Sequence, residues 1–307
     1  MKVWVVGAGG LLGAAVARHV DPGRSFTASR IPWRDPEESL ATLRAELERF
    51  LRWLPDEEWA VVWAAGAGVV MSSPEQLAVE EHVLLEFARS VAAIGAPNGV
   101  FWFASSASVF GPSRSATWTE DDPARPAGPY PLAKHRQELA LTTIFERAGR
   151  AKLVISRIST LYGPGQRIDK PQGLVTKICF EAVTMGVVSI VVPLESMRDY
   201  LYSDDAARLV HASLRSALRG TETVRLNVLS NGHPTSVAEL IRHVQAVVHR
   251  RTWILQVPPS VGSLHATMLV VKSKDRELGA VRRTPLVVGV DAVARDVLVR
   301  ISRGRGV

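Results

Sequence analysis

The chain has 307 residues and a single cysteine, Cys179, so it forms no internal disulfide and offers no cysteine-rich metal site. That usage fits a reducing, cytoplasmic setting. Its longest apolar stretches, near residues 59–71 and 182–192, fall short of the roughly 20 residues that cross a bilayer, so no membrane association is expected. No low-complexity run or internal repeat is present, and the eight histidines lack metal-ligand spacing. A formal charge of +7 raises the question of nucleic acid. The basic residues are scattered, however, the densest cluster is a Gly/Arg tail at 300–305, and no aromatic–basic interleaving accompanies it. Nucleic acid is therefore not an expected partner.

What is present begins at the N-terminus. A short apolar run, Val3-Trp4-Val5-Val6, leads into glycines at 7, 9, 10 and 13 and then an alanine-rich helical stretch. Strand, glycine turn and helix together form the context of a dinucleotide site. Gly7 permits a tight turn, Gly9 and Gly10 let the backbone approach a pyrophosphate, and Gly13 lets the helix pack closely on its strand. The helix then opens at Leu11 and Leu12 with free N–H groups and a positive dipole end toward the phosphates. Lys2 ahead of apolar residues also resembles the start of a signal peptide, but four glycines in seven residues and no small-residue cleavage site argue against that. A second strand is expected over 25–30. Where an NAD site places a carboxylate on the ribose 2′-hydroxyl, this chain has Ser29 and Arg30, with Arg34 close behind. A hydroxyl and a guanidinium suit a 2′-phosphate, so NADP(H) is expected rather than NAD(H).

Further along, a helix-prone segment (36–54) precedes a buried-strand pattern at 59–65, which ends in Ala64, Ala65, Gly66 and Gly68, small residues that let the chain pass close to a cofactor. A long amphipathic helix over 74–94 leads to a strand at 99–104 that delivers Ser105 and Ser106. A helix carrying Tyr130 and Lys134 follows, then a strand at 152–157. Strands alternating with helices imply a parallel sheet covered on both faces, with its ligand crevice beyond the strand carboxyl ends. Gly7, Gly66 and Ser106 all fall at such ends. Lys134 is one turn beyond Tyr130, so its ammonium can stabilise a phenolate, while Ser106 can hold a substrate oxygen. Such a set moves a proton on an alcohol or ketone while a hydride moves on carbon. Pro131 disfavours the α conformation at Tyr130, which places the tyrosine at the helix entrance.

Taken in order, these pieces resemble the extended short-chain dehydrogenase/reductase family of NAD(P)-dependent nucleotide-sugar epimerases, dehydratases and ketoreductases. The marks are Gly7/Gly10/Gly13, residues 105–111 (SSASVFG), 119–122 (TEDD) before Tyr130, 157–165 (RISTLYGPG), 198–205 (RDYLYSDD), 227–230 (NVLS) and 274–279 (KDRELG). The resemblance implies a Rossmann-type doubly wound parallel sheet (1–157 plus 198–228) with a smaller, discontinuous substrate lobe (158–197 plus 229–307). It implies Tyr130 as the acid/base, Lys134 on the nicotinamide ribose, and Ser106 on the reacting oxygen. Arg198 falls where the family places an arginine on the substrate diphosphate, with Arg282 or Arg283 assisting; pairing of Arg198 with an acid such as Asp204 is the alternative. Ala107, Ser108 and Thr160 fall near the sugar, and Gln166, Arg167, Gln172 and Lys177 are further candidates for that pocket. A homodimer through the 74–94 and Tyr130 helices is the family expectation.

Several positions depart from the family pattern: Phe110 for tyrosine, Thr160 for asparagine and Ala133 for serine. The 31–58 segment is also short and lacks an evident strand carrying an adenine-binding aspartate. Dehydration needs an Asp-Glu pair after the serine, and Ala107 and Ser108 cannot shuttle protons. The expected activity is thus an NADPH-dependent ketoreductase acting on a dTDP- or UDP-linked keto-sugar. A C4-epimerase holding its cofactor tightly is the alternative, and a non-catalytic NADP-binding sensor or scaffold is the alternative of another class.

Overall fold

The computed structural model describes residues 1–54, 57–66, 72–94, 98–112, 117–168, 173–257 and 268–304; Gly68, Gln172 and the end of the Gly/Arg tail lie outside them. The strands are β1 (Lys2–Val6), β2 (Ser25–Phe26), β3 (Trp59–Trp63), β4 (Gly99–Ser106), β5 (Thr117–Trp118), β6 (Lys152–Ile158), β7 (Thr160–Tyr162), β8 (Val187–Ile190), β9 (Met197–Tyr202), β10 (Val224–Leu229), β11 (Pro234–Ser236), β12 (Trp253–Gln256) and β13 (Met268–Val271). The helices are α1 (Leu11–His19), α2 (Pro36–Trp53), α3 (Pro74–Ala92), α4 (Pro129–Ala148), α5 (Leu174–Thr184), α6 (Ser203–Arg219), α7 (Val237–Val248), α8 (Arg276–Ala280) and α9 (Leu286–Ser302).

Six strands in the order β10-β6-β4-β3-β1-β2 form one parallel sheet. Every residue of β3 is buried, as a strand covered on both faces requires. Phe50, Phe87 and Phe145 from α2, α3 and α4 pack with Trp4, Trp63 and Phe101 on one face. Val16 of α1 and Leu209 of α6 pack with Val62 and Trp102 on the other. Helix starts are written locally: Asp35 caps α2 by accepting from the Glu38 N–H, and Ser73 with Gln76 forms a capping box on α3.

The chain leaves β1 for β2 on one side and returns to β3 on the other, so the strand order reverses between β1 and β3, where a crevice opens beyond the strand ends. The expected second strand is shorter than 25–30. β2 stops at Phe26, with no strand on its outer side among the described residues, and the chain turns away to where Ser29 faces Glu46 of α2. Among the described residues, 31–58 supplies α2 and no strand, so the sheet ends at β2.

Beyond β6, α6 and β10 join this sheet and its core, and other elements build a second core. β9 is flanked by β11 and β13 along its first half and by β7 along its second. Helices α5, α7 and α9 enclose a core that includes Tyr162, Ile178, Cys179, Tyr200, Leu240 and Val293. Among the described residues no helix is long and apolar enough to cross a membrane, and no cluster of side chains is suited to a metal ion.

Candidate active site

Three loops meet at the carboxyl edge of the sheet. Gly7 has φ +92°, a left-handed conformation that side chains disfavour, and an added Cβ there would lie 2.5 Å from the Ala65 nitrogen. The turn after β1 and the Ala64–Ala65 segment after β3 are thus in backbone contact. Gly13 is pressed as closely: its added Cβ would lie 2.1 Å from the Gly7 carbonyl oxygen. Around Gly9, by contrast, no described residue other than its chain neighbours comes within 4 Å of such a Cβ. Gly10 is the N-cap of α1 and makes no side-chain cap, so the first-turn N–H groups at Leu11, Leu12 and Gly13 have none either. An open backbone cradle before an uncapped helix end fits a dinucleotide pyrophosphate.

At the end of β2, Ser29 and Arg30 are exposed. The side chain and main chain of Ser29 both face the Glu46 carboxylate. Burial alone would raise the Glu46 carboxyl, but bonds from Arg49 and Ser29 outweigh it and hold it below the usual carboxylate range. Arg30 has no ion pair among the described residues.

Ser106 closes β4 and caps the single turn 107–110, its Oγ accepting from the Ser108 N–H (3.2 Å) and lying 2.9 Å from the Ser108 hydroxyl. Against this turn packs α4. Its N-cap is Gly128, at φ +95°, and Pro129 and Pro131 bracket Tyr130 within the first turn. Tyr130 is therefore helical, despite the bias that Pro131 imposes on it. It is half-buried. One turn on, Lys134 is 6% exposed, with Nζ 5.9 Å from the Tyr130 ring centre, 5.0 Å from that of Phe103 on β4, and 3.6 Å from Glu80 Oε1 of α3. Glu80 also borders Gly66, whose added Cβ would lie 2.9 Å from that same oxygen.

Arg198, on β9, is half-buried and has no carboxylate partner among the described residues; its Nη1 donates to the Met197 carbonyl, and burial lowers its affinity for its proton. Asp204, the acid considered as its partner, instead pairs with Arg18 at 2.9 Å. Arg283 donates to the carbonyls of Ser230, Val281 and Leu278. Arg282 is exposed beside α6, where its carbonyl accepts from Arg208. Thr160 pairs in register with Tyr200, two residues from Arg198. Gln166 and Lys177 are tied within the lobe, to Thr176 and to Glu181 respectively.

The sequence matches the NAD dependent epimerase/dehydratase family over residues 3–228. The chain belongs to that family. It is accordingly an NAD(P)-dependent enzyme of the extended short-chain dehydrogenase type. It is 27% identical over 198 residues to the dTDP-4-dehydro-6-deoxyglucose reductase of Escherichia coli, a match covering 64% of this chain and 61% of that enzyme. The matched part is thus less than two thirds of that relative. Solved structures of the same fold include RMD from Pseudomonas aeruginosa, complexed with NADPH (TM-score 0.77, 19% identical, 97% of this chain and 99% of that one). Another is the UDP-glucose 4-epimerase of Thermotoga maritima, with UDP-glucose (TM-score 0.76, 18% identical, 98% and 100%).

Within this epimerase/dehydratase framework, sequence reasoning missed Glu80 and Glu138. Glu138 lies four residues after Lys134, a spacing that could have found it. Glu80 sits on another helix, and no local pattern ties it to Lys134.

Proposed function

We propose that the protein reduces a nucleotide-linked keto-sugar, dTDP- or UDP-bound, with NADPH. The observation that carries the reading is Lys134, a buried ammonium beside the Tyr130 ring on the helix that packs against the Ser106 turn. A bound dihydronicotinamide supplies the hydride that reaches the carbonyl carbon. Tyr130 holds a proton at its phenol oxygen and gives it to the carbonyl oxygen, which Ser106 keeps in place by hydrogen bonding. Lys134 offsets the negative charge left on the phenol oxygen, and Glu80 holds Lys134 from the far side. Ala107 and Ser108 carry no acid, so elimination of water lacks its proton donor. The similarity to the Escherichia coli reductase supports the same direction.

Residues 1–157 with 198–228 hold the cofactor in this reading, and 158–197 with 229–307 hold the sugar. The diphosphate meets Arg198, a guanidinium with no competing carboxylate among the described residues, while the cradle of Gly7, Gly9, Gly10, Leu11, Leu12 and Gly13 takes the cofactor pyrophosphate. With Ser29 turned toward Glu46, the preference for a 2′-phosphate rests on Arg30, seconded by Arg34. Arg30→Asp should reverse the preference between NADPH and NADH by about 100-fold, a phosphate–guanidinium contact contributing about 1.5–3 kcal/mol. An unchanged ratio of affinities would remove Arg30 from the site. Exposed Val79, Leu132 and Leu139 on α3 and α4 support a homodimer through these helices.

The deciding assay follows absorbance at 340 nm with NADPH and a panel of dTDP- and UDP-keto-sugars, for the parent and for Tyr130→Phe. Stoichiometric cofactor loss that Tyr130→Phe abolishes is expected. Interconversion of sugar isomers without net cofactor loss would replace reduction by epimerisation. Biological activity that survives Tyr130→Phe would point to a sensor.

A further inference from the structure

Tyr130, Lys134 and Glu138 recur every four residues and so share one face of α4. The first two face the cleft edge; the third lies in the sheet interface beneath them. Glu138 is 4% exposed, and its carboxylate is clamped from two strands. Oε1 accepts from the Ser105 hydroxyl of β4 at 2.5 Å and from Arg157 Nε of β6 at 3.1 Å, while Oε2 accepts from Arg157 Nη2 at 2.8 Å. Ser105 directly precedes Ser106. Its register partner across the sheet is Arg157 itself. The guanidinium also lies 4.6 Å from the centre of the Phe110 ring, at the end of the turn that Ser106 caps. One carboxylate thus joins the helix that carries Tyr130 and Lys134, the strand end that carries Ser106, and, through Arg157, the turn beyond it.

Stability alone does not account for this arrangement. A buried ion pair loses the hydration of both charges, and apolar side chains of similar volume are often as stabilising or more so. Here the cost is greater, because Arg157 Nη1 is buried with no hydrogen-bond partner among the described residues. What apolar contacts do not give is direction. A fork of hydrogen bonds fixes the rotation and height of α4 against β4, whereas a greasy interface leaves both free to drift.

We propose that Glu138, held by Ser105 and Arg157, is a positioning residue that sets the distance and angle between Ser106 and the Tyr130–Lys134 pair. The inference rests on the reading of those three residues as the reacting set. The effect falls on turnover rather than on cofactor binding, since misplacement by about 1 Å costs about 100-fold in rate, while the glycine cradle at the other end of the site is untouched.

The test compares the parent, Ser105→Ala, the double variant Glu138→Leu/Arg157→Met, and Tyr130→Phe. For each, kcat and KM are measured separately with NADPH and dTDP-4-dehydro-6-deoxyglucose, together with the midpoint of thermal unfolding. The double variant should unfold at the parent temperature or above and hold KM for NADPH within about threefold, yet lose about 100-fold in kcat. Ser105→Ala, which removes one hydrogen bond and no charge, should lose about tenfold in kcat; it decides alone if the double variant does not fold. A folded double variant with parental kcat overturns the proposal. So does a kcat loss in Ser105→Ala that merely tracks a falling unfolding midpoint. A parent without turnover, or a Tyr130→Phe that keeps it, overturns the reading of the site itself; an inactive Tyr130→Phe beside an unaffected Ser105→Ala overturns the brace alone.

Discussion

Alanine at Gly13 and at Gly9, four residues apart in the same turn, should fail for different reasons. At Gly13 the new Cβ would lie 2.1 Å from the Gly7 oxygen and 2.7 Å from the Gly7 carbon, both backbone atoms of the turn. No side chain can swing aside, so α1 and β1 must part. Overpacking of this kind costs about 1–3 kcal/mol. Alanine recovers about 1 kcal/mol of helix propensity, and because the obstacle is backbone, the upper end of the range applies. The net loss is about 2 kcal/mol, or about 3 °C in the unfolding midpoint for a chain of this size. At Gly9 no described residue beyond its chain neighbours lies within 4 Å of the new Cβ, and the protein without cofactor should hold its stability within about 0.5 kcal/mol. NADPH at 100 times its dissociation constant adds about 2.7 kcal/mol to the parent. Gly9→Ala should lose most of that increment at the same concentration, because its methyl fills the space where the pyrophosphate is proposed to pass. Thermal unfolding with and without NADPH measures both quantities. Parental stability in Gly13→Ala would refute the packing argument, and an undiminished NADPH increment in Gly9→Ala would take the pyrophosphate away from this turn.

Three other expectations can be checked on the same protein. Arg198→Met removes a half-buried guanidinium with no carboxylate partner among the described residues; it should weaken dTDP binding about tenfold by calorimetry, as expected for a charge-assisted contact, without lowering the unfolding midpoint. Burial pushes the Cys179 thiol up to about 12, so it should ignore a thiol-reactive disulfide reagent at pH 8 and react in full once denaturant opens the lobe. Burial, with repulsion from His19 and Arg215, holds the His211 imidazole below the ordinary histidine range. The folded state therefore binds fewer protons there than the unfolded one, and stability should fall as pH drops below about 6.5. His211→Leu should flatten that part of the stability profile.

The layered fold was legible because its determinants are local. Periodicity marks buried strands such as 59–63, glycines mark the first turn, and caps such as Asp35 and Ser73 mark helix starts. Ser106, Tyr130 and Lys134 were legible for a similar reason, since a strand end and one helical turn place them. Even the shortened sheet edge could be read from the brevity of residues 31–58. What escaped was long-range side-chain pairing. Nothing in the residues around position 29 says that Ser29 turns toward Glu46, and nothing near Asp204 says that Arg18, 186 residues away, claims it rather than Arg198. Glu80 reaches Lys134 from another helix, and the Ser105–Glu138–Arg157 cluster exists only once three elements have docked. The sequence supplied candidates at these positions; the packing chose among them.

The two prolines around Tyr130 bear on where anions can settle. A helix start normally presents several free N–H groups, and α1 does so. In α4, Pro129 and Pro131 have no N–H at all, and the Leu132 N–H is already spent on the Gly128 carbonyl at 3.2 Å. Tyr130 itself keeps the one main-chain donor left at that entrance. Of these two helix entrances, α1 offers an anion more main-chain donors than α4 does. The α4 entrance is chemically quieter, so a polyanionic molecule entering the cleft has little reason to bind backward, with its phosphates lodged against the tyrosine.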